Sequence, residues 1–436
     1  MQIFRTNIIY TPESHRFEVI PHGFVAVSDG KVEGVWQELP AHLADIPVTD
    51  WGDRLLIPAM NDMHVHAPQY RNQGIAMDLE LLPWLQNYTF PEELKYADTA
   101  YASRMYRRFV RDLWRHGTMR VAAFASVHPD STLLLMRLLS QAGMGGFVGK
   151  VNMNRNCPEG LQESVEDAMK ACEALVAEFG PTNDGRVHPI VTPRFIPSCT
   201  PELLQACGEM ARRYQLPVQS HLSENHDEIA LVRKLEPQSR HYADAYDRYG
   251  LLGPTTSHAG NRPTTIMAHC VWTDGDELEL LRQRGVMVAH CPTSNLNVAS
   301  GLAPIRRFLD AGIPVGLGSD VSGGHDFSIF RMMVYAIQVS KMHYQRDKSC
   351  AFLTLAEAFW MATKSAGRFF GQVGSFEPGY DFDALVIDDS PLLVDDGYTL
   401  LERLERFVYI GDDRHIVARY CQGCLIPDPW DDGNER

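Results

Sequence analysis

Several features that mark other protein classes are missing from this sequence of 436 residues. No apolar run is long enough to span a membrane, and no internal repeat or low-complexity segment appears. Basic residues are in deficit, with 40 lysines and arginines against 55 acidic residues, and the formal net charge of −15 argues against a nucleic-acid partner. The N-terminal residues Met1–Arg5 lead into no apolar secretory segment. We therefore expect a chain that binds neither nucleic acid nor membrane.

Cysteine clusters are scarce as well. The nine cysteines are scattered and odd in number, which favours reduced thiols and a cytoplasmic setting. Cys421 and Cys424 form a single CxxC pair, but a zinc ribbon needs a second pair and none is present. We interpret this pair as a coincidence.

Short apolar runs alternate with longer amphipathic stretches through the middle of the chain. Eight strands separated by helices predict an α/β fold, a parallel (β/α)8 TIM barrel. The eight runs are residues 55–60, 121–127, 146–153, 187–193, 216–222, 265–270, 286–291 and 314–319. The predicted helices include residues 99–117, 164–179, 201–214 and 354–370.

Both ends of the chain are rich in strand-forming residues. Two such runs flank Asp29-Gly30 and predict a hairpin, and residues 383–387 and 407–410 predict further strands. Neither end has enough apolar residues for a core of its own. We therefore expect one small composite β-sandwich domain built from residues 1–57 and 371–436, with residues 58–370 forming the barrel.

Histidines and a carboxylate follow the ends of several predicted strands. His64 and His66 lie two residues apart, so on a strand both side chains point the same way. A lone His-x-His is more often structural than functional. His221, His269 and Asp320, however, each end a separate apolar run, and active sites of such barrels lie at the C-terminal ends of the strands. The pattern indicates a mononuclear metal site with hydrolytic chemistry.

Two further residues have alternative interpretations. Glu224 follows His221 by three positions and could carry protons beside the metal, although alone it would be an ordinary charge at a helix start. His269 could be a further metal ligand, but we favour a hydrogen bond from it to the attacking oxygen. His290 is expected to be a structural histidine bonded to a neighbouring loop. Residues 77–93 could form a lid, a subunit contact or an extra helix packed over the barrel mouth.

These motifs together resemble the metal-dependent amidohydrolase superfamily and, within it, the guanine deaminase family. The resemblance covers nearly the whole chain. Its most specific pieces are His-x-His-x-x-Gln, ending at Gln69, and Arg194-Phe195. The other matching segments are residues 84–91, 219–225, 318–324 and 409–414.

The resemblance implies one zinc ion per chain, with Fe²⁺ as the alternative metal, held by His64, His66, His221 and Asp320. It also implies substrate contacts from Gln69, Trp84, Arg194, Phe195 and Glu224. Arg194 can donate to a carbonyl oxygen, the Gln69 amide can both donate and accept, and Phe195 can pack on a ring. Residues 71–76, 196–197 and 267–273 depart from the family pattern and flank the pocket.

The implied activity is zinc-dependent hydrolytic deamination of guanine to xanthine and ammonia, with Glu224, His269 and Asp320 as catalytic residues. The substrate would be a small purine, and the resemblance implies a homodimer. One alternative is a deaminase of another aminoheterocycle, such as a pterin, a triazine or an oxidised purine. A distant alternative is a non-catalytic scaffold of the same fold.

Overall fold

The two ends of the chain meet in one seven-stranded sheet, in the order β17–β16–β15–β4–β1–β2–β3 of the strands bounded below. The computed structural model describes residues 1–180, 185–253 and 263–430. Its strands are β1 (Gln2–Glu13), β2 (Arg16–Ser28), β3 (Lys31–Trp36), β4 (Val48–Pro58), β5 (Met60–His66), β6 (Thr118–Phe124), β7 (Gly145–Gly149), β8 (Val151–Asn152), β9 (Val187–Pro189), β10 (Thr192–Pro193), β11 (Val218–Leu222), β12 (Thr265–His269), β13 (Met287–His290), β14 (Val315–Leu317), β15 (Ala384–Ile387), β16 (Ile416–Cys421) and β17 (Cys424–Leu425).

Strand β15 connects the two ends, because it pairs antiparallel with β4 on one side and with β16 on the other. Alternate residues of these strands serve different cores. Leu56 and Val386 pack in a small cluster with Phe4 and Phe382, whose rings stack at a centroid distance of 5.2 Å. Leu385, by contrast, belongs to the large apolar cluster of the barrel. The sheet therefore packs directly on the barrel.

The parallel strands close into a ring. Strands β5–β6–β7–β9 and β11–β12–β13–β14 form two four-stranded sheets. Val191 joins them at one seam, since its N–H donates to Pro217 O at 2.9 Å and its carbonyl accepts from Gln219 N at 3.0 Å. At the other seam Asp320 N donates to His64 O at 2.8 Å. The short pair β8 and β10 continues the third and fourth strands, and the (β/α)8 prediction is confirmed.

Helices connect these strands. They are α1 (Leu81–Trp84), α2 (Phe90–Glu93), α3 (Thr99–Arg115), α4 (Pro129–Gln141), α5 (Val165–Phe179), α6 (Pro201–Tyr214), α7 (His226–Leu235), α8 (Tyr242–Arg248), α9 (Gly275–Arg284), α10 (Pro292–Asn297), α11 (Ile305–Asp310), α12 (Ile329–Arg346), α13 (Leu355–Trp360) and α14 (Leu400–Ile410). Within the described ranges, no helix combines the length and apolar character needed to cross a bilayer.

Two local predictions were wrong. Residues 407–410 were expected to form a strand but lie in α14, which starts at a capping box made by Thr399 and Glu402 and buries Leu404, Phe407 and Val408 on one side. Residues 55–60 were expected to be the first barrel strand. Residues 55–58 instead end β4 of the terminal sheet, and the barrel strand starts at Met60.

Other local predictions hold. The hairpin at Asp29-Gly30 is confirmed, with Ser28 paired to Lys31, and so is the helix at residues 201–214. Residues 431–436, the end of the predicted composite domain, lie outside the described residues.

Candidate active site

Three histidines and one aspartate converge at the C-terminal end of the barrel. His64 and His66 project from β5 and His221 from β11, and their ring nitrogens lie within 4.8 Å of one another. His66 Nε2 lies 3.0 Å from His221 Nε2. Asp320, just after β14, places Oδ1 at 3.2 Å from His64 Nε2 and 3.5 Å from His66 Nε2. The predicted ligand set is thus brought together.

Burial favours the neutral form of these three histidines. Burial lowers the pKa of His64, His66 and His221, and the histidines depress one another's pKa values further. His221 Nδ1 lies 2.6 Å from the Arg194 carbonyl, which can only accept, so Nδ1 carries the proton and Nε2 has a free lone pair. The carbonyl orients the ring as outer partners of metal-binding histidines do.

The donor set fits a divalent metal ion. His64 Nδ1 and His66 Nδ1 are buried without a hydrogen-bond partner among the described residues, and His64 Nε2 makes no hydrogen bond of good geometry although it lies 3.2 Å from Asp320 Oδ1. Buried polar atoms of that kind are costly unless something binds them. Two or three imidazoles with one carboxylate match the ligands that zinc takes in hydrolytic sites.

Two carboxylates at the site are driven to opposite protonation states. Burial would raise the pKa of Asp320, but His64 and His269 outweigh it and lower that pKa to about 2. Burial and the charge of Asp320 raise the pKa of Glu224 to about 8, although Ser300 donates to Glu224 Oε1 at 3.1 Å. At neutral pH one group is a base and the other an acid, as acid–base catalysis requires.

His269 lies between the two carboxylates. Its Nε2 is 3.4 Å from Glu224 Oε2 and 3.8 Å from Asp320 Oδ2, while Nδ1 is 2.9 Å from Asn295 Oδ1. His269 and Asp320 both have positive φ angles, of 73° and 47°. Left-handed backbone at non-glycine residues is costly and tends to occur at functional sites.

Every predicted site residue except His64 lines one cavity, and His64 is fully buried behind it. Gln69 follows β5 and Arg194 and Phe195 follow β10. Residues 81–93 cover the mouth as α1, a π-helical turn and α2. Trp84 packs there against Phe195 in one apolar cluster, which supports the interpretation of this segment as a helix over the barrel mouth.

Several residues of the site were not anticipated from the sequence. Asp62 Oδ1 accepts from the N–H groups of His64 and Ser319 at 3.1 and 3.0 Å and so ties β5 to the strand that precedes Asp320. Glu93 lies in the short helix α2, Asn295 in the short helix α10 and Ser300 just after α10, where no apolar alternation marks them. Asp62 alone had a signal, its place beside His64.

His290 departs from expectation. It is fully buried at the end of β13, but neither ring nitrogen has a hydrogen-bond partner in the described part of the chain. The expected bond to a neighbouring loop is therefore absent. Burial lowers the pKa of this ring to about 3, so it stays neutral.

The comparisons with known proteins agree with this geometry. Residues 55–426 match the model of the amidohydrolase family. The chain is 35% identical to a guanine deaminase of Dictyostelium discoideum, over 98% of each chain. It is also 35% identical to a guanine deaminase of Rattus norvegicus, over 97% of this chain and 95% of the relative.

A solved structure extends the match. The crystal structure of guanine deaminase from C. acetobutylicum, with guanine bound in its active site, is 48% identical with a TM-score of 0.94 and covers 98% of this chain and 100% of that one. The chain belongs to the amidohydrolase family. Within that family it belongs with the guanine deaminases, which it matches over nearly its full length.

Proposed function

We propose that this protein catalyses the zinc-dependent hydrolytic deamination of guanine to xanthine and ammonia. The observation that carries the proposal is the joint presence, in one cavity, of His66, His221 and Asp320, which lie close together, and of the Glu224 acid. The full-length similarity to guanine deaminases, one of them with guanine bound, supports guanine as the substrate.

His64, His66, His221 and Asp320 would hold the metal. A zinc ion bound there supplies Lewis-acid activation of the attacking water at neutral pH. Fe²⁺ is the alternative, since such ligands accept several divalent metals. Metal analysis of the purified protein by mass spectrometry distinguishes the two.

Asp320 and Glu224 divide the proton transfers. Asp320, as the base, takes a proton from the water that attacks C2. Glu224, as the acid, delivers a proton to ring nitrogen N3, which weakens the C=N bond. His269 Nε2 stabilises the oxygen that becomes negatively charged. A proton passed to the departing amine then releases ammonia.

Arg194, Gln69, Phe195 and Trp84 would bind the purine. Arg194 and Gln69 supply hydrogen bonds to its polar edge, while the rings of Phe195 and Trp84 supply apolar walls. Glu224 would complete the contacts at N3.

A panel of heterocycles tests the substrate. Purified protein is offered guanine, a pterin, an aminotriazine and 8-oxoguanine, and released ammonia is measured. We expect the largest kcat/KM with guanine. Ammonia release from another heterocycle with none from guanine would replace the assignment, and no release together with no bound metal would favour a scaffold.

The domain boundaries, the cellular compartment and the oligomeric state are also proposals. The continuity of the seven-stranded sheet supports a composite domain from residues 1–57 and 371–436 beside a barrel of residues 58–370. Nine unpaired cysteines suit a reducing, cytoplasmic compartment. Family membership is the ground for a homodimer, which light scattering would measure.

A further inference from the structure

One buried carboxylate contacts both side chains that are proposed to read the purine edge. Glu93 lies at the end of α2 and is 3% exposed. Its Oε1 accepts from Gln69 Nε2 at 2.9 Å, and its Oε2 accepts from Arg194 Nη1 at 2.6 Å. Phe90, one turn earlier, covers the same guanidinium at 5.0 Å. The short helix over the barrel mouth thus holds two residues that come from separate strand ends.

These contacts determine which way the Gln69 amide faces. A carboxylate paired with arginine can only accept hydrogen bonds, so the amide atom beside Glu93 must be the nitrogen. The Gln69 oxygen then faces the loop after Asp320, at 3.4 Å from Ser322 N and Oγ. What remains for a ligand is the second Nε2 hydrogen. Arg194 can likewise only donate.

We infer that Glu93 is a positioning residue that makes the purine-binding edge of the pocket a pair of donors, and thereby selects 6-oxopurines over 6-aminopurines. The inference rests on the proposed deamination of guanine. Guanine presents two neighbouring acceptors, O6 and N7, whereas a 6-aminopurine presents a donor beside N7. Two fixed donors match the first pattern and leave an unpaired donor against the second, which is costly in a buried site.

Glu93→Gln changes this arrangement without changing shape. Arg194 still needs an acceptor, so the oxygen of the new amide faces Arg194 and its NH₂ group faces Gln69. Gln69 then turns its own oxygen toward position 93 and gives up the 3.4 Å contact from Ser322 N. The atom presented to the ligand changes from a donor to an acceptor.

The test compares guanine with 2,6-diaminopurine, which keeps the 2-amino group and replaces O6 by an amine. Ammonia release is followed for both, and the products are identified by mass spectrometry so that only loss of the 2-amino group is counted. For Glu93→Gln we expect KM for guanine to rise about tenfold while kcat changes less than about threefold. The kcat/KM preference for guanine over 2,6-diaminopurine should fall at least about tenfold.

Glu92→Gln is the matched control. Glu92 is the adjacent residue of α2 and is equally buried, but it accepts from Lys95 Nζ at 2.6 Å and from the Tyr101 hydroxyl, away from the pocket. We expect its KM and its substrate preference to stay at the wild-type values. A purely structural role of buried acids in this helix would move both variants alike.

Glu93→Asp covers the case in which the amide variant does not fold, because loss of a buried charge partner is destabilising. It keeps the charge on Arg194 but is one methylene too short to reach both partners. The same changes are expected, to a smaller extent. Wild-type KM and wild-type preference in the folded variants would overturn the inference, whereas failure of the wild-type protein to deaminate guanine would overturn the proposed function instead.

Discussion

The two ends of the barrel differ in whether certain buried polar groups have hydrogen-bond partners. At the C-terminal end, ring nitrogens of His64 and His66 lack hydrogen-bond partners among the described residues. At the N-terminal end, the buried Arg120 donates from Nε to Asp383 at 2.7 Å and from Nη2 to Asp381 at 3.1 Å. That end also has a cavity of about 340 Å³, lined in part by Arg120 and Asp381. A sizeable cavity therefore also occurs at the end of the barrel opposite the proposed active site.

The difference lies in whether the polar groups are satisfied. A buried charge whose hydrogen-bonding groups are all used joins elements and has little capacity left for a ligand. Arg194, by contrast, pairs with Glu93 through Nη1 and has further N–H groups for a ligand. Groups left unpaired at the opposite end are available to a metal and a substrate. Arg120 belongs to β6 of the barrel and both aspartates adjoin β15 of the terminal sheet, so this ion pair fastens the two together.

Removal of the metal from the C-terminal end is expected to cause the largest loss of activity. Dialysis against a chelator should abolish ammonia release from guanine, because the attacking water is then no longer activated. Added zinc should restore it and also raise the melting temperature, since the ion binds only the folded ligand set. Full activity in protein shown by mass spectrometry to be metal-free would contradict the site.

Glu224→Gln comes next. We expect kcat to fall about 10²- to 10⁴-fold, because an amide cannot deliver the proton. Zinc content and melting temperature should remain at wild-type values, since Glu224 is not a proposed ligand. Glu236→Gln is the control, a buried acid after α7 that accepts from the Tyr249 hydroxyl at 3.0 Å and does not line the cavity, and its kcat should stay at the wild-type value. Normal turnover of Glu224→Gln would remove Glu224 from the mechanism.

Arg120→Met removes the buried ion pair at the N-terminal end of the barrel. The buried Asp383 loses its charge partner, while Asp381 keeps Lys31, so we expect the free energy of unfolding to fall by about 3–5 kcal/mol, with kcat at 25 °C unchanged. Denaturant titration measures the first and ammonia release the second. Lys31→Met, which removes a 2.8 Å contact to Asp381 from a side chain that is 53% exposed, should cost less than about 1 kcal/mol. Equal losses in the two variants would contradict the comparison.

The smallest expected effect belongs to Trp84→Phe. Trp84 Nε1 is buried without a partner among the described residues and lies on the cavity wall. Removal of a donor that meets the ligand should raise KM severalfold, about 1 kcal/mol, at constant kcat. Trp114→Phe provides the contrast, because its Nε1 donates to Ile426 O at 2.9 Å and its loss should lower stability instead. An unchanged KM in Trp84→Phe would show that the indole N–H does not meet the ligand.

The sequence predicts the site residues that follow strands in the regular alternation of strands and helices. His221 and Asp320 could be located because each ends an apolar run, and His64 and His66 because of their two-residue spacing. Parallel strands bring their C-terminal ends to one rim. Glu93 could not, because a short helix after a π-helical turn has no period that reveals which side chain faces the pocket. Residues 407–410 were misassigned because strand-forming residues outweighed the capping box at Thr399, whose effect is local.

The junction between β4 and β5 connects the strand that bears His64 and His66 to residues near the C-terminus of the chain. Only Ala59 separates the terminal-sheet strand from the strand that bears His64 and His66, and β4 gains a neighbour on that side only when Ala384–Ile387 pairs with it. In a ribosome-bound chain that has emerged through the whole barrel, β5 can already pair with β6 and β4 with β1, but the other edge of β4 is still open. The strand that bears His64 and His66 should therefore gain its full support late, when residues 384–387 pair with β4.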